Sequence, residues 1–202
     1  MTLRKKLEDY ISHHAEFKTS LTPVFPVPGV PDVAREMIAA GFRTLTGPMA
    51  SVAGMFASHV GEKIRHQFTV KELVIENGGD FSLFLKEDLL VTIYAGNSPL
   101  SEKIGVIIPA SETPCGLCTS SGTVGPSFSY GKADAVMVAC YSPLLADAWA
   151  TSLANRVKTP ADIEPVLKYS EQFPEILSLV IICDDKTGIR GNFDVRFVHS
   201  SA

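Results

Sequence analysis

From Leu73 onward the apolar residues stop recurring every three or four positions and gather into short runs split by turn formers. That change of period constrains the fold more than any other feature. Before it, Leu3, Leu7, Tyr10, Ile11 and Phe17 lie at helical spacing and predict an amphipathic helix over 3–17. Pro23, Pro26, Pro28, Gly29 and Pro31 make 19–31 an extended connector, after which Asp32 is placed to cap a helix through Phe42. Gly47-Pro48 opens a third helix, to Arg65, on which Ala50, Ala53, Gly54, Ala57 and Gly61 form a small-residue face suited to close packing on a sheet or a ligand. After Leu73, strands are predicted at 73–77, 81–85, 90–94, 104–108 and 135–140, then helices at 143–157 and 160–172. Strands at 177–183 and 192–198 flank an Asp185-Lys186-Thr187-Gly188 turn. Helices and strands mix without strict alternation, so the fold class is α+β, read as a single unit over 1–202 with a helical, Pro-rich portion at 1–46.

A chain of 202 residues with 46% apolar content can bury a full core. Its net charge of −4 argues against a nucleic-acid or anionic-membrane surface, which needs clustered Lys and Arg. An anionic ligand must then be held by local groups. The start is charged and has no apolar stretch of signal-peptide length, and runs such as Leu179–Cys183 are far too short to span a bilayer. A soluble, cytoplasmic protein is expected.

Three stretches join small residues, which let a ligand reach the backbone, to oxygen-bearing side chains that suit phosphate or a hard cation. They are Glu76-Asn77-Gly78-Gly79-Asp80, Cys118-Thr119-Ser120-Ser121-Gly122-Thr123 and Ala146-Asp147-Ala148-Trp149-Ala150-Thr151. Asn77-Gly78 between strand-like runs is first of all a hairpin turn. Asp147 and Thr151, four apart on a predicted helix, project a carboxylate and a hydroxyl from one face, as a cation site or as an ordinary helix surface.

The order and flanks of these stretches resemble the ApbE-like superfamily, flavin transferases that move FMN from FAD onto a protein with Mg²⁺. The resemblance is closer to an uncharacterised, shorter branch of it. It extends from Leu7 to about Asp185 and takes in Gly47–Gly54, Tyr94–Ser101 and Gly131–Val136. It implies an ApbE-like, T-fold-related architecture of two similar sheet-and-helix halves. It also implies a site: Asn77, Gly78, Gly79 and Asp80 lining an FAD pocket, and Thr119, Ser120, Ser121, Gly122 and Thr123 supplying hydroxyls and amides to the pyrophosphate. Asp147 and Thr151 would hold Mg²⁺ with a backbone carbonyl from Cys118 or Thr119. A protein acceptor is the partner such a transferase implies.

One departure matters. The transferases carry, after the Ser/Thr-rich segment, a stretch that contributes an active-site histidine, whereas Gly125–Gly131 here holds none. The expectation is Mg²⁺-assisted binding of a flavin or nucleotide, with transfer or hydrolysis of altered chemistry. The alternatives are a non-catalytic flavin, pterin or purine module and a partner-binding protein with an empty cleft. Other motifs fail on inspection. Gly125 and Gly131-Lys132 are separated by five residues, and Ala133 stands where a phosphate-binding loop needs Ser or Thr. Cys115-Gly116-Leu117-Cys118 has redox or half-zinc spacing but no second ligand pair, and the histidines at 13, 14, 59, 66 and 199 are scattered.

Overall fold

The computed structural model describes residues 2–124 and 130–198. Helices α1 (Leu3–His13) and α2 (Ala15–Thr19) replace the single helix predicted over 3–17, because His14 leaves helical geometry at φ −134°, ψ 72°. Helix α3 (Asp32–Thr44) starts one residue earlier than a capping Asp32 requires: Pro31 holds the cap position, and Asp32, already helical, pairs with Arg35. A short 3₁₀ turn at Pro48–Ser51 leads into α4 (Val52–Gln67).

The strands are β1 (Leu73–Asn77), β2 (Asp80–Phe84), β3 (Leu89–Thr92), β4 (Ile104–Ile108), β5 (Cys115–Ser120) and β6 (Ala135–Cys140). Helices α5 (Pro143–Ala154) and α6 (Ile163–Ser170) follow, then β7 (Ile176–Cys183), β8 (Lys186–Gly191) and β9 (Val195–Phe197). Strand β5, which runs through Thr119 and Ser120, has no counterpart among the strands predicted from sequence. Strand β8 corrects the predicted turn at 185–188: Cys183 pairs with Lys186, so the turn residues are Asp184 and Asp185.

The fold is α+β with two sheets. One is antiparallel and six-stranded, in the order β1-β2-β5-β6-β7-β8; the other is β3-β4-β9. Strand β6 reads Ala-Val-Met-Val-Ala-Cys with no polar position because both of its faces are covered. Val136, Val138 and Cys140 pack under α5 and α6 with Trp149 and Leu153, while Ala135, Met137 and Ala139 pack against Ile93, Val106 and Ile108 of the small sheet and its approaches. An outer helical layer closes over α4 and α5 through Leu7, Phe17, Met37 and Met55. The layers therefore run outer helices, inner helices, large sheet, small sheet. No helix among the described residues is long and apolar enough to cross a membrane.

Candidate functional site

The turn joining β1 to β2 consists of Gly78 and Gly79, at φ 68° and 98°, between paired Asn77 and Asp80. Two consecutive positive φ values are what a two-residue hairpin of this twist demands, and glycine meets them without a Cβ penalty. The Asn77 side chain donates to the Ala53 carbonyl at 3.1 Å, which ties the hairpin to the start of α4. Asp80 then opens β2 directly opposite Cys118 of β5. Its carboxylate is buried and faces the Thr119 N–H and the Cys118 thiol as hydrogen-bond donors, the thiol being shared with the Pro143 carbonyl at 3.5 Å.

A second carboxylate arrives from the helical side. Ser142 caps α5, and Asp147 follows one turn later. Helix α4 reaches α5 at Gly54, where a Cβ would lie 2.3 Å from the Pro143 carbonyl oxygen and 2.8 Å from the Asp147 Cβ. The approach lets Asp147 Oδ2 accept the Gly54 N–H at 2.9 Å, with a further backbone N–H from Ala53. Both amides belong to the first turn of α4, the positive end of its dipole. The small-residue face of α4 thus serves helix–helix contact at Gly54, and meets the sheet lower down, where Gly61 lies against Ser82 of β2.

These groups resist ionising together. Burial pushes the Asp80 carboxyl up to about 6, against the lowering effect of its hydrogen bonds from Cys118 and Thr119, and Glu76 adds repulsion. Burial also raises Asp147, and the Asp80 charge raises it further despite the Gly54 and Ala53 amides. Asp147 keeps a partial opening to the cavity although protein atoms surround it. The Cys118 thiol, fully buried beside both carboxylates, is held well above its ordinary range by burial and then by Asp80 and Asp147.

Gly78, Gly79, Asp80, Thr119, Ser120, Ser121, Asp147 and Thr151 line one cavity of about 370 Å³. It opens where β2 begins and β5 ends, so it reaches both faces of the large sheet. Its apolar wall comes from Phe81, Val91, Ile93, Leu117 and Met137, with Tyr94 at its exposed edge. None of these was singled out from sequence as a ligand contact, since core-type residues carry no chemical signature. Asn77, Gly122 and Thr123 do not line it. Gly122 donates to the Ala133 carbonyl at 2.9 Å and abuts Gly131, while Thr123 Oγ1 donates to Asp134, which in turn accepts the Asp184 N–H at 2.7 Å. Cys115 and Cys118 point to opposite faces of β5, one toward the small sheet and one toward the helices, so they form no dithiol pair. His13, His14, His59 and His66 do not line the cavity. Residues 125–129, where the histidine-bearing stretch was expected, and His199 lie outside the described residues.

Among the described residues no three His, Cys, Asp or Glu side chains gather as a metal cage. A cation here would rest on Asp147, the Thr151 hydroxyl and a carbonyl, and complete its shell with water or ligand oxygen. That is the sparse coordination Mg²⁺ accepts. Two crowded carboxylates that are reluctant to ionise are the electrostatic counterpart of such a site, because a bound cation relieves both.

A family model described as "AbpE bacteria" matches residues 1–169. A "UPF0280 protein" of Methanocella arvoryzae is 38% identical over 189 residues, covering 94% of this chain and 76% of the relative. Among solved structures, the apo flavinyl transferase ApbE of Pseudomonas stutzeri superposes with a TM-score of 0.50 at 16% identity, over 93% of this chain and 71% of the other. The flavin transferase ApbE of Vibrio cholerae gives 0.50 at 14%, over 92% and 73%.

Proposed function

Because this chain belongs to the ApbE-like family, in the shorter branch that holds the UPF0280 proteins, we propose that it binds a flavin or related nucleotide with the assistance of Mg²⁺. The observation that carries this reading is the convergence of Asp80, Thr119 to Ser121, Asp147 and Thr151 on one cavity with an apolar wall. Ligand sites combine these two features, a mostly apolar concavity and a few convergent polar groups. The apolar wall suits a planar ring, and the hydroxyls and amides of Thr119, Ser120 and Ser121 suit its polar substituents and phosphate.

Asp147 and Thr151 would hold the cation. When bound, Mg²⁺ neutralises phosphate charge and orients a phosphoryl group for transfer or hydrolysis. The chain's own residues do the rest. The two α4 amides fix the Asp147 carboxylate, Thr119 and Cys118 fix Asp80, and the Gly78-Gly79 turn leaves open space in front of both.

A second reading is a binding module without turnover. It is favoured by the sequence of Gly125–Gly131, which holds no histidine, and by the absence of histidine among the described residues lining the cavity. Thermal unfolding with riboflavin, FMN and FAD, each with and without Mg²⁺, tests the shared premise. A ligand present at a hundred times its Kd stabilises the fold by about 2.7 kcal/mol. FAD with Mg²⁺ should raise the melting temperature by more than FAD alone. No shift with any flavin or nucleotide, at any Mg²⁺ concentration, would end the proposal.

A further inference from the structure

The carboxylate wall has a second side. Asp80, Asp147 and Thr151 also border a cavity of about 280 Å³, whose other polar lining includes Lys18, Ser20, Thr46 and Asn155. Each cavity alone lies near the bottom of the range of about 300–1,000 Å³ typical of small-molecule sites. The two differ in chemistry. Among the described residues, the first has an apolar wall and no Lys, Arg or His, whereas the second has one basic side chain, Lys18.

Lys18 belongs to none of the motifs that carry the family resemblance; its side chain is exposed at the rim of the second cavity, on a backbone held on both sides. Phe17, 1% exposed, anchors the short helix α2 in the outer core. Immediately after Lys18 the chain crosses the α3–α4 link so closely that a Cβ on Gly47 would lie 1.8 Å from the Ser20 carbonyl oxygen. Lys18 makes no ion pair among the described residues, although Glu16 lies on the same helix. A phosphate approaching the Asp80 and Asp147 carboxyl pair meets acceptor oxygens and negative charge. A divalent cation offsets them, and one further positive charge tips the balance toward anion binding.

We propose that the two cavities are halves of one bipartite site, in which the first takes the planar part of the ligand and the second takes its phosphate-bearing part through Lys18. The phosphate linkage then lies over Asp80, Asp147 and Thr151. This rests on the flavin or nucleotide reading above, and it adds the orientation of the ligand and the group that recognises its charge.

Calorimetry with riboflavin, ADP and FAD, all in Mg²⁺, tests it on wild type and Lys18→Gln, with melting temperatures to confirm folding. Loss of a charge-assisted contact should weaken ADP and FAD roughly tenfold while leaving riboflavin unchanged. Lys18→Arg should recover most of the loss, and ADP affinity should fall with added salt in wild type more than in Lys18→Gln. Equal ADP and FAD affinities in wild type and Lys18→Gln would overturn the proposal, as would an equal loss of riboflavin. Binding of riboflavin but not ADP by wild type would overturn the bipartite site alone and leave a flavin pocket standing. Failure of all three ligands would remove both readings.

Discussion

The carboxyl of Asp80 ionises near pH 6 in the folded protein because burial strips water from its charged form, whereas in the unfolded chain it ionises near its ordinary value of 3.8. A pKa raised by folding means that the native state binds the proton more tightly. The contribution to stability is then complete below pH 4, is lost as pH rises through 6, and is absent at neutral pH. A difference of about two units corresponds to roughly 3 kcal/mol at most. Asp80→Asn, which retains an acceptor but carries no charge, should therefore be more stable than wild type at pH 7 in urea unfolding, with the advantage shrinking as pH falls and vanishing only below pH 4. Mg²⁺ should narrow the gap at pH 7 by stabilising wild type. A variant less stable than wild type at pH 7 without Mg²⁺ would show that the Thr119 and Cys118 hydrogen bonds outweigh burial. Asp147 answers differently, because it also serves the amides of Gly54 and Ala53. Asp147→Ala should cost about 1 kcal/mol, as the loss of a helix cap does, and should abolish the Mg²⁺-dependent part of FAD affinity in calorimetry. Equal Mg²⁺ dependence in both proteins would return Asp147 to a purely structural role.

At the scale of elements, the site depends on how closely α4 can approach α5. Gly54→Ala gains about 1 kcal/mol of helix propensity, but its methyl meets the Pro143 backbone oxygen at 2.3 Å, and overpacking of that kind costs about 1–3 kcal/mol and moves the backbone. The clash should win, lowering stability and flavin affinity together. Gly61→Ala on the same helix meets only the Ser82 hydroxyl at 2.9 Å, a side chain free to rotate, and should be near neutral by the same unfolding measurement. Equal effects at the two positions would refute the importance of the α4–α5 approach. From sequence this glycine was legible as a close-packing position, but its partner was not. The same limit appears in the strands. The run Ala135–Cys140 could be delimited to the residue because a strand covered on both faces is continuously apolar. Strand β5 ends in Thr119-Ser120, and β8 carries Lys186, Thr187, Gly188 and Arg190 at the edge of the sheet, so their composition resembles loops. Helix α2 split from α1 at His14, where no Gly or Pro announces a break. The hairpin was legible because two positive φ values demand residues such as Asn and Gly, but it lies one residue beyond the expected Asn77-Gly78 pair, at Gly78-Gly79, whereas the pairing of Asp80 with Cys118 depends on a strand order no local pattern encodes.

In the whole molecule, the described outer helices do more than cover a core: with the α3–α4 link they complete the second side of the carboxylate wall. The ApbE-like kinship was legible in the motif order, and the shared cavity adds a spatial reason for that order. It does not supply a base. No histidine lines either cavity among the described residues, and the interval from Gly125 to Gly131 contains none in sequence. General-base catalysis contributes typically 10²–10⁴-fold, so activating an acceptor hydroxyl without it is a severe handicap. Positioning by a cation still favours attack by water, which is abundant and needs no recognition. Incubated with FAD, Mg²⁺ and a flavin-acceptor protein, this chain should therefore leave the acceptor mass unchanged, while chromatography of the free nucleotides shows slow release of FMN and AMP that disappears in Asp147→Ala. Intact FAD after long incubation, with binding demonstrated, would select the module without turnover. An acceptor that gains one FMN at a rate lost in Asp147→Ala would show that another group takes the proton. Tyr130, which lines the second cavity, would then be the first residue to substitute, ahead of Ser127 and Ser129, which lie outside the described residues.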